Sequence, residues 1–168
     1  RIEQLLDGRP QGLNMGTFHA ICARLLRREV DTLTHYQRDF VIFDTADQLQ
    51  VIKQALAELN LDDKKFPPNK MLNGISNAKN DLITPAEYVA TNYTGAAVQR
   101  VYERYQMTLR VNNAMDFDDL MMNVVLLFDE QPEVMARYQE RYHHVLVDEF
   151  QDTNATQYRL LRQLKNTH

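Results

Sequence analysis

Apolar residues recur at three- and four-residue intervals through most of this chain, the spacing that lines one face of an α-helix. Phe18, Ile21, Cys22, Leu25 and Leu26 form the first such stripe, after a short Met15–Thr17 strand. Leu49, Ile52, Leu56 and Leu59 form the next, behind a Thr45/Gln48 pair that reads as a capping box. Met71, Leu72, Ile75 and Ala78 predict a third helix beyond the charged, proline-closed loop 62–68, and Thr84-Pro85-Ala86-Glu87 a restart with proline at the first helical position. Val98, Val101, Tyr102, Tyr105 and Leu109 mark a long helix. Phe117, Leu120, Met121, Val124, Leu127 and Phe128 mark another. A last helix is expected after Asn154, with Gln157 three residues on and Leu160, Leu161 and Leu164 buried. One stretch breaks the helical rhythm: Val145, Leu146 and Val147 are apolar without alternation, which predicts a parallel strand covered on both faces.

Composition narrows the class. The chain has 168 residues, 44% hydrophobic and 25% charged, which is globular rather than disordered. The longest strictly apolar run, Val124 to Phe128, is far too short to cross a bilayer. Cys22, the single cysteine, lies on an apolar stripe and is expected in the core. With no intramolecular disulfide possible, a reducing, cytoplasmic setting and no membrane partner are the expectation. A net charge of -4 argues against nucleic-acid binding by bulk charge. The arginines at 24, 27 and 28, and at 100, 104 and 110, read as solvated helix faces. Tyr102, Tyr105, Tyr138 and Tyr142 read as core rather than as stacking platforms. Asp116-x-Asp118 lacks the third ligand and the glycine of a calcium loop. His143 and His144, adjacent on an extended segment, point to opposite sides and do not share a metal easily.

The chemistry concentrates at the end of the Val145–Val147 run, in Asp148 and Glu149 and the polar turn Phe150-Gln151-Asp152-Thr153-Asn154. Open α/β sheets bind ligands beyond their carboxyl strand ends. An acid there can hold hydrated Mg²⁺, and a second can orient or deprotonate a water attacking a phosphoryl group.

The string DEFQDTN resembles motif II, the Walker B segment, of the UvrD/Rep/PcrA family of superfamily 1 DNA helicases. Two other segments agree in the family's order. Met15-Gly16-Thr17-Phe18-His19-Ala20 resembles the TFHS element, with Ala20 where the serine usually stands, and Met115-Asp116-Phe117-Asp118-Asp119-Leu120 resembles LDFDDL. Phe43 to Leu49, Pro67-Pro68 and Ser76 to Asn80 are similar to the family's inserted helical subdomain. The resemblance implies a mainly α fold with a few short parallel strands: an incomplete RecA-like P-loop domain (1A, residues 1–35 and 114–168) carrying an all-α insertion (1B, residues 36–113). It implies ATP and Mg²⁺ in the intact protein, with Asp148 holding Mg²⁺ through water and Glu149 activating the attacking water. Gln151 and Asp152 would link nucleotide state to neighbouring motifs. Thr17, Phe18 and His19 would contact single-stranded DNA, and Lys64 and Lys65 the duplex at a junction.

None of the five glycines opens a G-x-x-x-x-G-K-[ST] phosphate loop. The chain therefore reads as an internal piece, inactive as an ATPase by itself and prone to self-association through unpaired strand edges; the resemblance implies that the intact protein is a 3′-to-5′ translocating helicase of replication or repair. Replication or repair proteins are the partners such a role implies. A different class, a non-catalytic helical module that binds DNA or protein, stays open at this point.

Overall fold

The computed structural model describes residues 13–165. In chain order the elements are α1 (Phe18–Arg28), a 3₁₀ turn (Val30–Thr32), β1 (Val41–Ile42), α2 (Thr45–Glu58), α3 (Pro68–Asn80), α4 (Tyr93–Val111), β2 (Ala114–Met115), α5 (Phe117–Glu130), α6 (Pro132–Arg141), a 3₁₀ turn (Phe150–Asp152) and α7 (Ala155–Leu164). Helix predominates, with one two-stranded parallel ladder pairing Val41 with Ala114 and Ile42 with Met115. No described helix is long and apolar enough to cross a membrane.

The apolar stripes are buried over most of their length, though Phe117 at the start of α5 stays exposed and Leu161 on α7 is half-buried. Val98, Val101, Tyr102, Tyr105 and Leu109 are buried along α4, and Leu120, Met121, Val124, Val125, Leu127 and Phe128 along α5. A helix apolar on most of its circumference must be central, and α5 packs against α1, α6 and α7. Tyr138 is buried on α6, its ring 5.7 Å from that of Phe128. Cys22 is core, and burial pushes its thiol up to about 12.

Two cores result. One joins α1, α5, α6 and α7 through residues such as Leu26, Phe40, Met115, Val124 and Leu160. The other joins α2, α3 and α4 through Ile52, Leu56, Met71, Ile75, Val101 and Ala114. The ladder is the neck between them. Successive strand residues face opposite sides, so Ala114 enters one core while its neighbour Met115 enters the other. Asn113, at φ 47°, makes the turn from α4 into β2. Its side chain accepts from Gln37 N–H at 2.8 Å and donates to Asp39 at 3.0 Å.

Three expectations are corrected. The capping box of α2 sits one residue earlier than Thr45/Gln48: Asp44 accepts from Asp47 N–H, and Asp47 accepts from Asp44 N–H. An aspartate outcompetes threonine as the acceptor, and Gln48 turns inward to donate to the Phe43 carbonyl. Thr84–Glu87 forms an isolated turn, closed by Thr84 N–H and Oγ1 on Glu87, and the helix begins only at Tyr93 with Asn92 as its cap. No apolar stripe follows Pro85 to bury a helix there; Val89 is exposed. Finally, neither Met15–Thr17 nor Val145–Val147 is a strand. A strand exists only with a partner backbone, and neither segment finds one among the described residues; Leu146 is 96% exposed.

Candidate functional site

The segment after α6 brings its acids to the surface beside the start of α1. A groove of about 420 Å³ is lined on one wall by Thr17, Phe18 and His19 and on the other by Val145, Leu146, Val147 and Asp148, with Leu160 and Leu164 of α7 as its floor. Thr17, Phe18 and His19 thus share one cleft with Asp148, while Glu149 lies just outside its lining.

Thr17 caps α1, its hydroxyl accepting from Ala20 N–H at 3.3 Å. The cap fixes the first turn of α1. Phe18 is half-buried against the first core, and the His19 ring meets Phe117 edge-on at 5.5 Å. Across the groove, Asp148 Oδ1 accepts from Glu149 N–H at 2.9 Å, and Glu149 adopts the left-handed conformation (φ 49°, ψ 41°). A bulky residue there is strained by about 1 kcal/mol, and such outliers gather where chemistry fixes the backbone.

The donor set suits Mg²⁺. Asp148 Oδ2 and the Glu149 carboxylate have no protein partner among the described residues, and hard carboxylate oxygens are what that cation takes. No group of three or more His, Cys, Asp or Glu stands together as a metal site among the described residues. The remaining ligands would therefore be water and phosphate, the usual arrangement for Mg²⁺ at a nucleotide. Gln151 and Asp152 lie on the 3₁₀ turn, bonded to each other at 3.3 Å, and reach no neighbouring element. Lys64 and Lys65 are not part of this cleft. They sit in the α2–α3 loop of the other core unit, Lys65 Nζ lying 4.7 Å from the centre of the Tyr93 ring.

A polar centre that sequence reasoning missed lies between the two cores. Lys79, 1% exposed, places Nζ 2.7 Å from Asp116 Oδ2 and 2.8 Å from Asp119 Oδ1. Tyr105 Oη donates to Asp116 at 2.8 Å and Gln106 Nε2 to Asp119 at 3.2 Å. The carboxylates also cap α5 reciprocally, Asp119 N–H donating to Asp116 and Asp116 N–H to Asp119. Burial would lower the ammonium's pKa, but the two carboxylates outweigh it and the net shift is upward. Burial raises both acids, and Asp116 and Asp119 then diverge. Lys79, with its hydrogen bond, and the N–H and O–H donors bring Asp116 below the usual range, whereas burial and the Asp116 charge lift Asp119 to about 6. Asp118 is raised by burial and accepts from Ser76 Oγ at 2.6 Å. One signal was available: Lys79 falls four residues after Ile75, on the buried face of its helix.

A mostly helical chain with a short parallel ladder, returning paired acids beside a Thr-Phe-His helix start, is compatible with part of a helicase motor. Over residues 1–168 it matches the UvrD/REP helicase N-terminal domain, and it belongs to that family. It is 47% identical over 166 residues to the ATP-dependent DNA helicase PcrA of Bacillus subtilis, and 43% identical over 166 residues to that of Staphylococcus aureus. Each alignment covers 98% of this chain, but only 22% and 23% of those relatives.

Proposed function

We propose that this chain is the part of an ATP-dependent, 3′-to-5′ DNA helicase that supplies the Walker B acids and the inserted helical subdomain. The observation that carries the reading is the single cleft flanked by Asp148 on one side and Thr17, Phe18 and His19 on the other. Its first core, with the extended 143–147 segment, is the incomplete RecA-like domain 1A; its second is subdomain 1B, entered at Ile42–Phe43 and left at Ala114–Met115. Tyr36, Phe40 and Ile42 pack on the first core, and this reading therefore takes the entry after residue 36.

In this reading Asp148 would hold Mg²⁺ through water, and the cation would supply neutralisation of phosphate charge. Glu149 accepts the proton of the attacking water, its carboxylate being held by no protein partner among the described residues. Gln151 and Asp152 relay nucleotide state. Thr17, Phe18 and His19 touch the single strand, and Lys64 and Lys65 contact duplex phosphates, which position without reading sequence. The setting is the cytoplasm, in replication or repair. A chain without a phosphate loop lacks the positioning and charge neutralisation that dominate phosphoryl transfer. The 168 residues alone are therefore expected to release no phosphate above background, with or without DNA.

The test uses the intact protein. Glu149→Gln should leave ATP binding largely unchanged and reduce turnover by orders of magnitude, since the base is lost and the shape kept. Asp148→Asn should weaken the metal-dependent step instead. Equal losses of nucleotide affinity in both would refute the separate roles, and an intact protein without DNA-dependent ATP hydrolysis would be a helical binding module.

A further inference from the structure

The acids of motif II sit on a tether with one polar anchor. Among the described residues, no hydrogen bond runs from 148–153 to any other element; those that exist close within the turn. The first hydrogen bonds to the rest of the molecule come at the start of α7. Asn154 Nδ2 donates to Asn80 Oδ1 at 2.6 Å. Thr156, 1% exposed, directs its hydroxyl at the carbonyls of Asn80 and Lys79, 2.7 and 3.1 Å away.

The anchor belongs to the other core unit. Asn80 and Lys79 end the last turn of α3; the Lys79 carbonyl also accepts from Leu82 N–H at 3.0 Å, while the Asn80 carbonyl, past the last helical bond, takes its donor from Thr156. That turn is itself fixed: Lys79 by Asp116 and Asp119, Ser76 by Asp118. α3 in turn packs tightly on α4, where a Cβ on Gly74 would come within 2.9 Å of Val98 Cγ2. A displacement of α3 therefore bears directly on the start of α7, and with it on the turn carrying Glu149.

We propose that Asn80, Asn154 and Thr156 form a positioning joint through which the inserted helices set the placement of the motif II acids, so that DNA engaged by those helices adjusts ATP turnover. The proposal rests on the functional reading above. None of the three residues touches substrate; they act through Glu149.

The experiment measures kcat and KM for ATP in the intact protein, with and without single-stranded DNA. Asn80→Asp and Asn154→Asp each keep the amide–carboxamide pair in a bondable form, since one side chain still donates and aspartate still caps α7. The double variant sets two carboxylates face to face and loses the bond while keeping the cap. Each single is expected to retain DNA-stimulated kcat within about threefold. The double should lose at least about tenfold of it, with KM for ATP and DNA-free kcat unchanged. Thr156→Val, isosteric but without the hydroxyl, should lose stimulation likewise, and Thr156→Ser should keep it. A double variant whose loss is the product of its singles, or a Thr156→Val with full stimulation, overturns the joint while leaving the helicase reading intact. A wild-type protein with no DNA-stimulated hydrolysis overturns both.

Discussion

Replacing Lys79 by Met should be among the most damaging single changes in this chain. Methionine reproduces most of the lysine stem, so the loss is not a cavity but a charge. Asp116 and Asp119, 1% and 3% exposed, would be left facing each other without the ammonium that lies 2.7 and 2.8 Å from them. Removing one partner from a buried ionic group costs roughly 3–5 kcal/mol, against a total stability of about 5–15 kcal/mol for a typical domain. With a urea dependence of about 2 kcal/mol per molar, the midpoint should fall by about 2 M. The loss should also depend on pH in a defined direction. Without Lys79 both carboxyls rise in the folded state and take up protons there before they do in the unfolded chain. The penalty therefore shrinks on acidification, by about 1.4 kcal/mol per pH unit for each extra proton bound. The assay is urea denaturation of wild type and variant followed by circular dichroism at pH 8 and pH 5. A midpoint within about 0.5 M of wild type at pH 8, a quarter of the expected shift, or a loss equal at both pH values, would refute the assignment of Lys79 as the neutralising charge.

In the wild-type chain, Asp119 takes up its proton at about 6 when folded and at the ordinary 3.8 when unfolded, so acidification from pH 7 to pH 5 should add about 1 kcal/mol from this group. Denaturation should show that gain, and Asp119→Asn should abolish it; the lowered Asp116 acts oppositely, its contribution being lost only below 3.8. Gly74→Ala places a methyl 2.9 Å from Val98 Cγ2, and the overpacking, about 1–3 kcal/mol, should outweigh the roughly 1 kcal/mol gained in helix propensity. An unchanged or raised melting temperature would show that α3 and α4 can separate freely. Leu146→Ser should leave the stability of this chain within about 0.5 kcal/mol of wild type, because Leu146 is 96% exposed; a loss several times larger would restore the buried strand that its sequence suggests.

What could be read from the sequence was local. The stripes on α4 and α5 were legible because burial there repeats with the helix's own period, and Asn154 with Gln157 because a capping box closes within four residues. The acids of the candidate site were legible through the string around them. The strands were not, since pairing is decided by a distant backbone: Val41-Ile42 and Ala114-Met115 carry too few residues to show a period, while Val145-Leu146-Val147 shows an apolar run but finds no partner in the described chain. Asp44 displaced Thr45 as a cap because two adjacent residues compete for the same N–H groups and composition alone does not rank their geometry. Lys79 was hidden for a different reason. A charged residue on a helix is expected in water, and only the arrival of two aspartates from a segment 37 residues later makes its burial tolerable.

That arrival also explains why a polar centre stands where an apolar one would serve stability as well. Replacing a buried ion pair by packed hydrophobic side chains is often neutral or stabilising, so strength alone does not account for Lys79, Asp116 and Asp119. Apolar contacts between two helices permit small sliding and rotation, because dispersion is not directional. Charge-assisted hydrogen bonds at 2.7 and 2.8 Å do not. The place where they occur is the neck at which the chain passes between its two cores, and the same turn of α3 accepts the Thr156 hydroxyl and the Asn154 amide. Rotation of α3 by even part of a turn would break both sets of bonds together. The ionic centre thus fixes the register between the helical unit and α5, and the carbonyls one residue further pass that register to the segment bearing Glu149.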